Sequence, residues 1–357
     1  MNASLPLLVV AAALAALCAW IVVPPPNGAA IVATVAAIEL SPYLFALNTI
    51  LLVAACRSRG PFRIAAIFVS ALNVALCACP IGALIVSGER LVAPELSDKG
   101  VVVDESSIPF VLGDEQTEMR AYLPRGGVAN PVVFAVYGGA WQHGSPENDA
   151  FLNRTLASQG YAVFALDYRH APRYRFPDAL DDVRAEVAYV FAHAARYRID
   201  PARAAIIGHS SGGEMAELSA FEAGSHFRAL VSYSGAVDLT QGYEVTPDPD
   251  PIDVRTVIVA YMGGRPADSP ERYRAASPID NVRGGAPPTL LIYGDRDHVV
   301  DFRSALRLRD ALAARGDDVS LLTLPWTEHG FEDVPWGLHS AVALGAVEAF
   351  LRRTIGD

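Results

Sequence analysis

Ile206-Ile207-Gly208-His209-Ser210-Ser211-Gly212-Gly213 decides the reading of this chain. The apolar residues up to Ile207 predict a buried strand over 204–207, and the residues from Gly212 onward predict a helix over 212–223. Between them lies G-x-S-x-G. Glycine has no Cβ, so Gly208 and Gly212 let the chain turn tightly and let the helix pack against the strand. Ser210 is thereby pushed out at the carboxyl end of the strand. Its hydroxyl lies near the start of a helix, where backbone N–H groups favour developing negative charge.

Outward from this turn, strand-like and helix-like stretches alternate. Strands are expected over 119–123, 132–137, 161–168, 230–233, 289–293 and 320–324. Helices are expected over 149–159, 177–198, 302–315 and 338–354. In the helix over 177–198, Leu180, Val183, Val187, Val190 and Phe191 recur at helical spacing. Such alternation predicts an α/β fold with a mostly parallel sheet and helices on both faces.

A serine hydroxyl is a poor nucleophile without a base, and the base needs an acid to orient it. Leu290-Leu291-Ile292-Tyr293-Gly294-Asp295-Arg296-Asp297 is a strand ending in an acidic turn. Leu324-Pro325-Trp326-Thr327-Glu328-His329-Gly330-Phe331 is the next strand and a His loop. Both loops leave the carboxyl ends of parallel strands, the rim where Ser210 is expected. Phe134-Ala135-Val136-Tyr137-Gly138-Gly139-Ala140-Trp141 runs from a strand into a glycine pair. The N–H groups there, with that of Ser211, would form an oxyanion hole.

Residues from about 100 to 357 resemble an α/β hydrolase. They are most similar to the hormone-sensitive-lipase-like carboxylesterases and to the neighbouring feruloyl-esterase, kynurenine-formamidase and isoprenylcysteine-methylesterase groups. Four blocks carry the resemblance, in chain order. They are Tyr137-Gly138-Gly139-Ala140-Trp141; Asp167-Tyr168-Arg169-His170-Ala171-Pro172 with Phe176-Pro177-Asp178-Ala179; Gly208 to Gly213; and Gly294 to Asp297 with His329-Gly330-Phe331. The resemblance implies Ser210 as nucleophile, His329 as general base and Asp297 as the orienting acid. Asp297 is preferred to Asp295 because the family's acid sits three residues after the strand-ending glycine. It also implies backbone N–H groups of Gly138, Gly139 and Ser211 as the oxyanion hole. The Asp-Tyr-Arg block is expected to support the loops. Tyr137 stands where the family usually has His, and Ala140 where it has a third glycine, which puts the anchoring of this loop in question. Trp141 and His209 are candidates for the substrate pocket, with plain packing the alternative for Trp141. His143, His170 and His298 are expected at the rim or just behind it, and their spacing suggests no metal site. The stretch 238–270 is expected to be either a lid or a surface excursion.

The first 88 residues differ in kind. They hold one acid, Glu39, and three bases, Arg57, Arg59 and Arg63. Residues 91–357 carry 24 Arg and Lys against 37 Asp and Glu, a net of −13, together with all eight histidines. An acidic domain without a basic stripe argues against a nucleic-acid partner. All four cysteines lie before residue 80, so the charged domain holds no disulfide framework, cysteine-based zinc site or cysteine nucleophile. Apolar runs predict three transmembrane helices over 5–23, 29–56 and 64–86. The domains expected are therefore 1–88, a multi-pass membrane region, and 89–357, the hydrolase. Three Arg in the 57–63 turn favour a cytoplasmic turn and an extracytoplasmic catalytic domain. Glu39, mid-run and one turn from Pro42, is expected to be either a functional group or a protonated acid bonded to a neighbouring helix or to carbonyls freed by Pro42.

The expected function is a membrane-anchored serine hydrolase without cofactor or metal. It would cleave small-molecule or lipid-like carboxylic esters through an acyl-Ser210 intermediate. An amidase or peptidase with the same three residues is the enzymatic alternative. A non-catalytic binding module with this fold is the alternative of another class.

Overall fold

A computed structural model describes residues 3–88, 101–126 and 129–356. The expected domain join at 88–89 falls at the edge of these, and residues 89–100 lie outside them.

Eight strands form one sheet: β1 (Val103–Leu112), β2 (Glu115–Pro124), β3 (Asn130–Val136), β4 (Ala162–Leu166), β5 (Ile199–His209), β6 (Ala229–Tyr233), β7 (Thr289–Gly294) and β8 (Val319–Leu324). Their spatial order is β1-β2-β4-β3-β5-β6-β7-β8. The β1–β2 and β2–β4 pairs are antiparallel, and every pair from β4 to β8 is parallel. Successive residues point to opposite faces, so Phe134 and Ile206 enter the core on one side while Val133, Ile207 and Ile292 enter it on the other. The chain leaves β3 to form β4 on one side and returns to form β5 on the other. Strand order therefore reverses between β3 and β5, which opens a crevice at their carboxyl ends.

The sequence pattern missed β1. Most of its residues are exposed and it lies at the sheet edge, so it lacks a strict apolar alternation. The helix expected over 177–198 is two, Asp178–Ala192 and Ala194–Tyr197, parted at His193.

Among the described residues, 3–88 form four α-helices: α1 (Ser4–Cys18, extended by a 3₁₀ turn to Ile21), α2 (Gly28–Glu39), α3 (Ser41–Arg57) and α4 (Arg63–Ser87). Two segments, Ser4–Ile21 and Arg63–Ser87, are long and apolar enough to cross a membrane. The single helix expected over 29–56 is instead broken: α2 and α3 meet at a 68° bend. Pro42 is the cause. It is tolerated in the first turn of a helix but not in an interior, so it starts α3 and ends α2. The helices α1, α3 and α4 pack together, with Asn73 Nδ2 donating to Ala11 O and to Asn48 Oδ1, each at 3.0 Å.

Of the two bonding patterns expected for Glu39, the structure shows a bond to a neighbouring helix, the C-terminal one, rather than to carbonyls near Pro42. The side chain is fully buried against the C-terminal helix Leu338–Thr354. Oε2 accepts from the backbone N–H of His339 at 2.8 Å and of Ser340 at 3.2 Å, and Oε1 lies 2.7 Å from His339 Nδ1. That helix begins at Gly337, which has no side chain to cap it. Glu39 supplies the missing cap from the other end of the chain. A Cβ on residue 337 would sit 2.2 Å from Glu39 Oε2, so the glycine makes room for the carboxylate.

Candidate active site

Three loops reach the crevice between β3 and β5. In the first, β5 runs into the helix Ser211–Phe221 through Ser210, held at φ 52° and ψ −117°. A non-glycine residue there is strained by about 1–3 kcal/mol. Close packing enforces the turn. A Cβ on residue 208 would lie 2.2 Å from Gly212 O, and one on residue 212 would lie 2.2 Å from Val136 O. Ser210 N–H donates to Tyr233 O at 2.8 Å, which ties the turn to β6.

The second and third loops follow β7 and β8. His329 Nε2 lies 3.0 Å from Ser210 Oγ, and His329 Nδ1 lies 2.8 Å from Asp297 Oδ2. The other oxygen of Asp297 accepts from the N–H groups of Val299 and Val300, both at 2.8 Å. Asp295 turns elsewhere: its Oδ1 accepts from Trp326 N–H at 2.6 Å. Burial disfavours a charged His329, but the Asp297 carboxylate, with Glu332 and Glu328 beyond it, outweighs burial and raises the imidazole to about 9. Glu328, which the sequence reading passed over, braces this loop. Its Oε1 accepts from the N–H of His329 at 2.9 Å and of His298 at 2.8 Å, and its Oε2 lies 2.5 Å from His298 Nδ1.

The loop after β3 closes the crevice. A Cβ on Gly138 would meet His209 O at 3.0 Å, so this backbone passes directly over the Ser210 turn. Gly139, at φ 154°, could carry no side chain, because a Cβ would strike His143 O at 1.8 Å. Tyr137 anchors the loop. Its hydroxyl donates to Asp167 at 2.8 Å and lies 3.0 Å from His170 Nε2, and its ring stacks on Tyr168. Tyr168 in turn donates to Tyr137 O at 3.2 Å, while Arg169 pairs with Asp182. Trp141 is both packed and lining: its ring stacks on Tyr261, its N–H donates to Glu214 at 3.1 Å, and it borders the cavity.

That cavity, about 500 Å³, brings together Gly138, Gly139, Ser210, Ser211 and His329. Its far wall is apolar, with Val237, Leu239, Val254, Val257 and Ile258 prominent. The first part of the stretch 238–270, up to Ile258, is therefore a wall of the cavity. His209 borders it as well. Its buried ring stacks on Tyr233, and Nδ1 lies 3.3 Å from Glu332 and 3.9 Å from Asp149. Burial works against its charge, but Asp149 and Glu332 prevail and push it up to about 9. Neither carboxylate was singled out in the sequence, since Asp149 reads as a helix start and Glu332 as one more acid after the His329 block.

Sheet order, crevice and turn define the α/β-hydrolase fold. EstE1, a thermostable carboxylesterase from a metagenomic library, shares it: TM-score 0.63 and 22% identity, over 77% of this chain and 99% of that one. The chain belongs to the BD-FAE family, whose match covers residues 119–312. It is similar to the probable carboxylic ester hydrolase LipM of Mycobacterium tuberculosis, 33% identical over 62% of this chain and 54% of that protein. It is also similar to the esterase LipC of the same organism, 33% identical over 62% of this chain and 58% of the relative. The chain thus spans a little over half the length of these curated relatives.

Proposed function

We propose that this protein is a membrane-anchored serine hydrolase of carboxylic esters. One observation carries the reading: a hydroxyl, an imidazole and a carboxylate linked at 3.0 and 2.8 Å on the wall of an apolar cavity. The family and the esterase relatives agree with it.

In the proposed reaction Ser210 Oγ attacks the ester carbonyl carbon and its proton passes to His329 Nε2. The carbonyl oxygen becomes an oxyanion, held by the backbone N–H groups of Gly138, Gly139 and Ser211. Collapse breaks the ester C–O bond, and His329 gives its proton to the departing alkoxide. Water then attacks the acyl-Ser210, His329 takes a proton from it, and the second collapse returns that proton to Ser210 and frees the carboxylic acid. Asp297 keeps the imidazole oriented and stabilises its charged form.

The anchor is assigned to α1, α3 and α4. The α2 helix, about 18 Å long, is too short to cross and is bonded to the catalytic domain through Glu39. The α3 helix, with 17 residues, is at the lower limit of length, and it is assigned as the third span as the longer part of the bent α2–α3 pair. Exposed apolar side chains concentrate here, among them Val9, Ile50, Ile64 and Phe68. Leu84 packs into the catalytic core, so Arg63 stands about 30 Å away along α4, and the basic 57–63 turn belongs at the end remote from the domain. A cytoplasmic turn then gives an extracytoplasmic domain. Tethered there, the site suits amphipathic, lipid-like esters.

The test uses full-length protein in detergent with p-nitrophenyl esters and matched anilides. The expected result is ester hydrolysis well above anilide hydrolysis, with kcat reduced at least about 10³-fold in Ser210→Ala. Faster anilide cleavage would make the protein an amidase, and undiminished hydrolysis in Ser210→Ala would overturn the reading.

A further inference from the structure

The segment from Ile21 to the end of α2 is tied at both ends to the catalytic domain, near the loops that carry His329 and Asp297. Seven positions before α2, at the end of the 3₁₀ turn that extends α1, Ile21 O accepts from Arg296 Nη1 at 3.1 Å and from Trp326 Nε1 at 2.8 Å. Arg296 adjoins Asp297, and Trp326 lies in the His329 loop; the guanidinium also rests on the indole, 4.7 Å from its ring centre. At the far end of α2, Glu39 caps the helix that begins with His339 and Ser340. Ser340 Oγ donates to Phe331 O at 2.6 Å, two residues beyond His329. Between these two attachments, Ile31 lines the same cavity as Ser210 and His329. Its neighbour Val32 points outward and is 70% exposed. One helix, apolar on both faces, therefore stands between the cavity and the surroundings.

We propose that α2 is a working wall of the substrate cavity: Ile31 contacts the hydrocarbon chain of an amphipathic ester and sets chain preference, and Glu39 is the positioning residue that holds it there. This rests on the ester-hydrolase reading and extends it to the substrate class. An apolar chain gains by leaving water for such a wall. Glu39 is fully buried with four polar contacts to the C-terminal helix, so removing its carboxylate leaves those buried partners unpaired at the end of α2.

The test measures kcat/KM for p-nitrophenyl decanoate and acetate on full-length protein in detergent and reads their ratio. Ile31→Trp is expected to lower the decanoate-to-acetate ratio at least tenfold, chiefly through KM. Ile31→Ala is expected to move the preference toward longer chains. Val32→Trp, on the outer face, is expected to leave the ratio within twofold of wild type. Glu39→Ala is expected to lower the ratio as Ile31→Trp does, and Glu39→Gln to restore part of it, since the amide oxygen still accepts from the His339 and Ser340 N–H groups. An unmoved ratio in both Ile31 variants would overturn the proposal. Equal losses on both esters in Glu39→Ala, without partial rescue by Gln, would overturn the positioning role. Wild type that hydrolyses neither ester would remove the ester-hydrolase reading and this proposal with it, an outcome distinct from active wild type with an insensitive ratio.

Discussion

His329 is the residue whose charge state governs the proposed chemistry. It must be neutral to accept the Ser210 proton, yet Asp297 at 2.8 Å, with Glu332 and Glu328, favours its charged form and raises it to about 9. A raised pKa means the imidazole holds its proton as pH falls through that value, so the base is lost on the acid side. The kcat/KM profile should therefore rise with pH, and its acid limb should lie above 6.5, the ordinary histidine value. A pH series with a neutral ester checks this, and a midpoint below 6.5 would contradict it. In Asp297→Asn the limb should move down, because the carboxylate that favours the cation is gone. The residues of this chain were legible only as types in a pattern. G-x-S-x-G between a strand and a helix singles out Ser210, whereas residue type alone does not separate Asp295 from Asp297; only the family resemblance favours Asp297, which bonds His329 while Asp295 bonds Trp326 N–H.

At the scale of elements, the β5-to-helix turn works because three backbones crowd where side chains are missing. Gly212 lies against the carbonyls of Val136 and Tyr137, at 2.2 and 2.4 Å from where a Cβ would be. Neither carbonyl can move without displacing β3 and the loop that carries Gly138. Gly212→Ala should therefore cost about 1–3 kcal/mol in a denaturant or thermal unfolding series and lower activity more than stability accounts for. Unchanged unfolding would show that the turn has slack. Elements with strong periodicity, such as the helix Phe302–Ala314, were readable from sequence. The break between α2 and α3 was not, because Glu39 and Pro42 inside an otherwise apolar run do not by themselves reveal that a new helix starts there at an angle. Nor was the choice between lid and surface excursion for 238–270, since whether its apolar residues border the cavity depends on where the fold seats them.

In the whole molecule, residues far apart in the sequence make one unit. Glu39 caps a helix 300 positions later, and Ile31 borders the cavity of Ser210 and His329. No local pattern could announce either contact, because both depend on how the N-terminal helices seat on the sheet domain. Legibility was highest where chemistry imposes residue types, at the three loops, and lowest where packing joins the two regions. The claim on which the account stands is that those loops build one reacting centre. A fluorophosphonate probe, followed by peptide mass mapping, tests it most directly. The account predicts a single adduct on the peptide bearing Ser210, absent in Ser210→Ala and formed far more slowly in His329→Ala. No adduct on wild type, or an adduct on another residue that persists in Ser210→Ala, would contradict it.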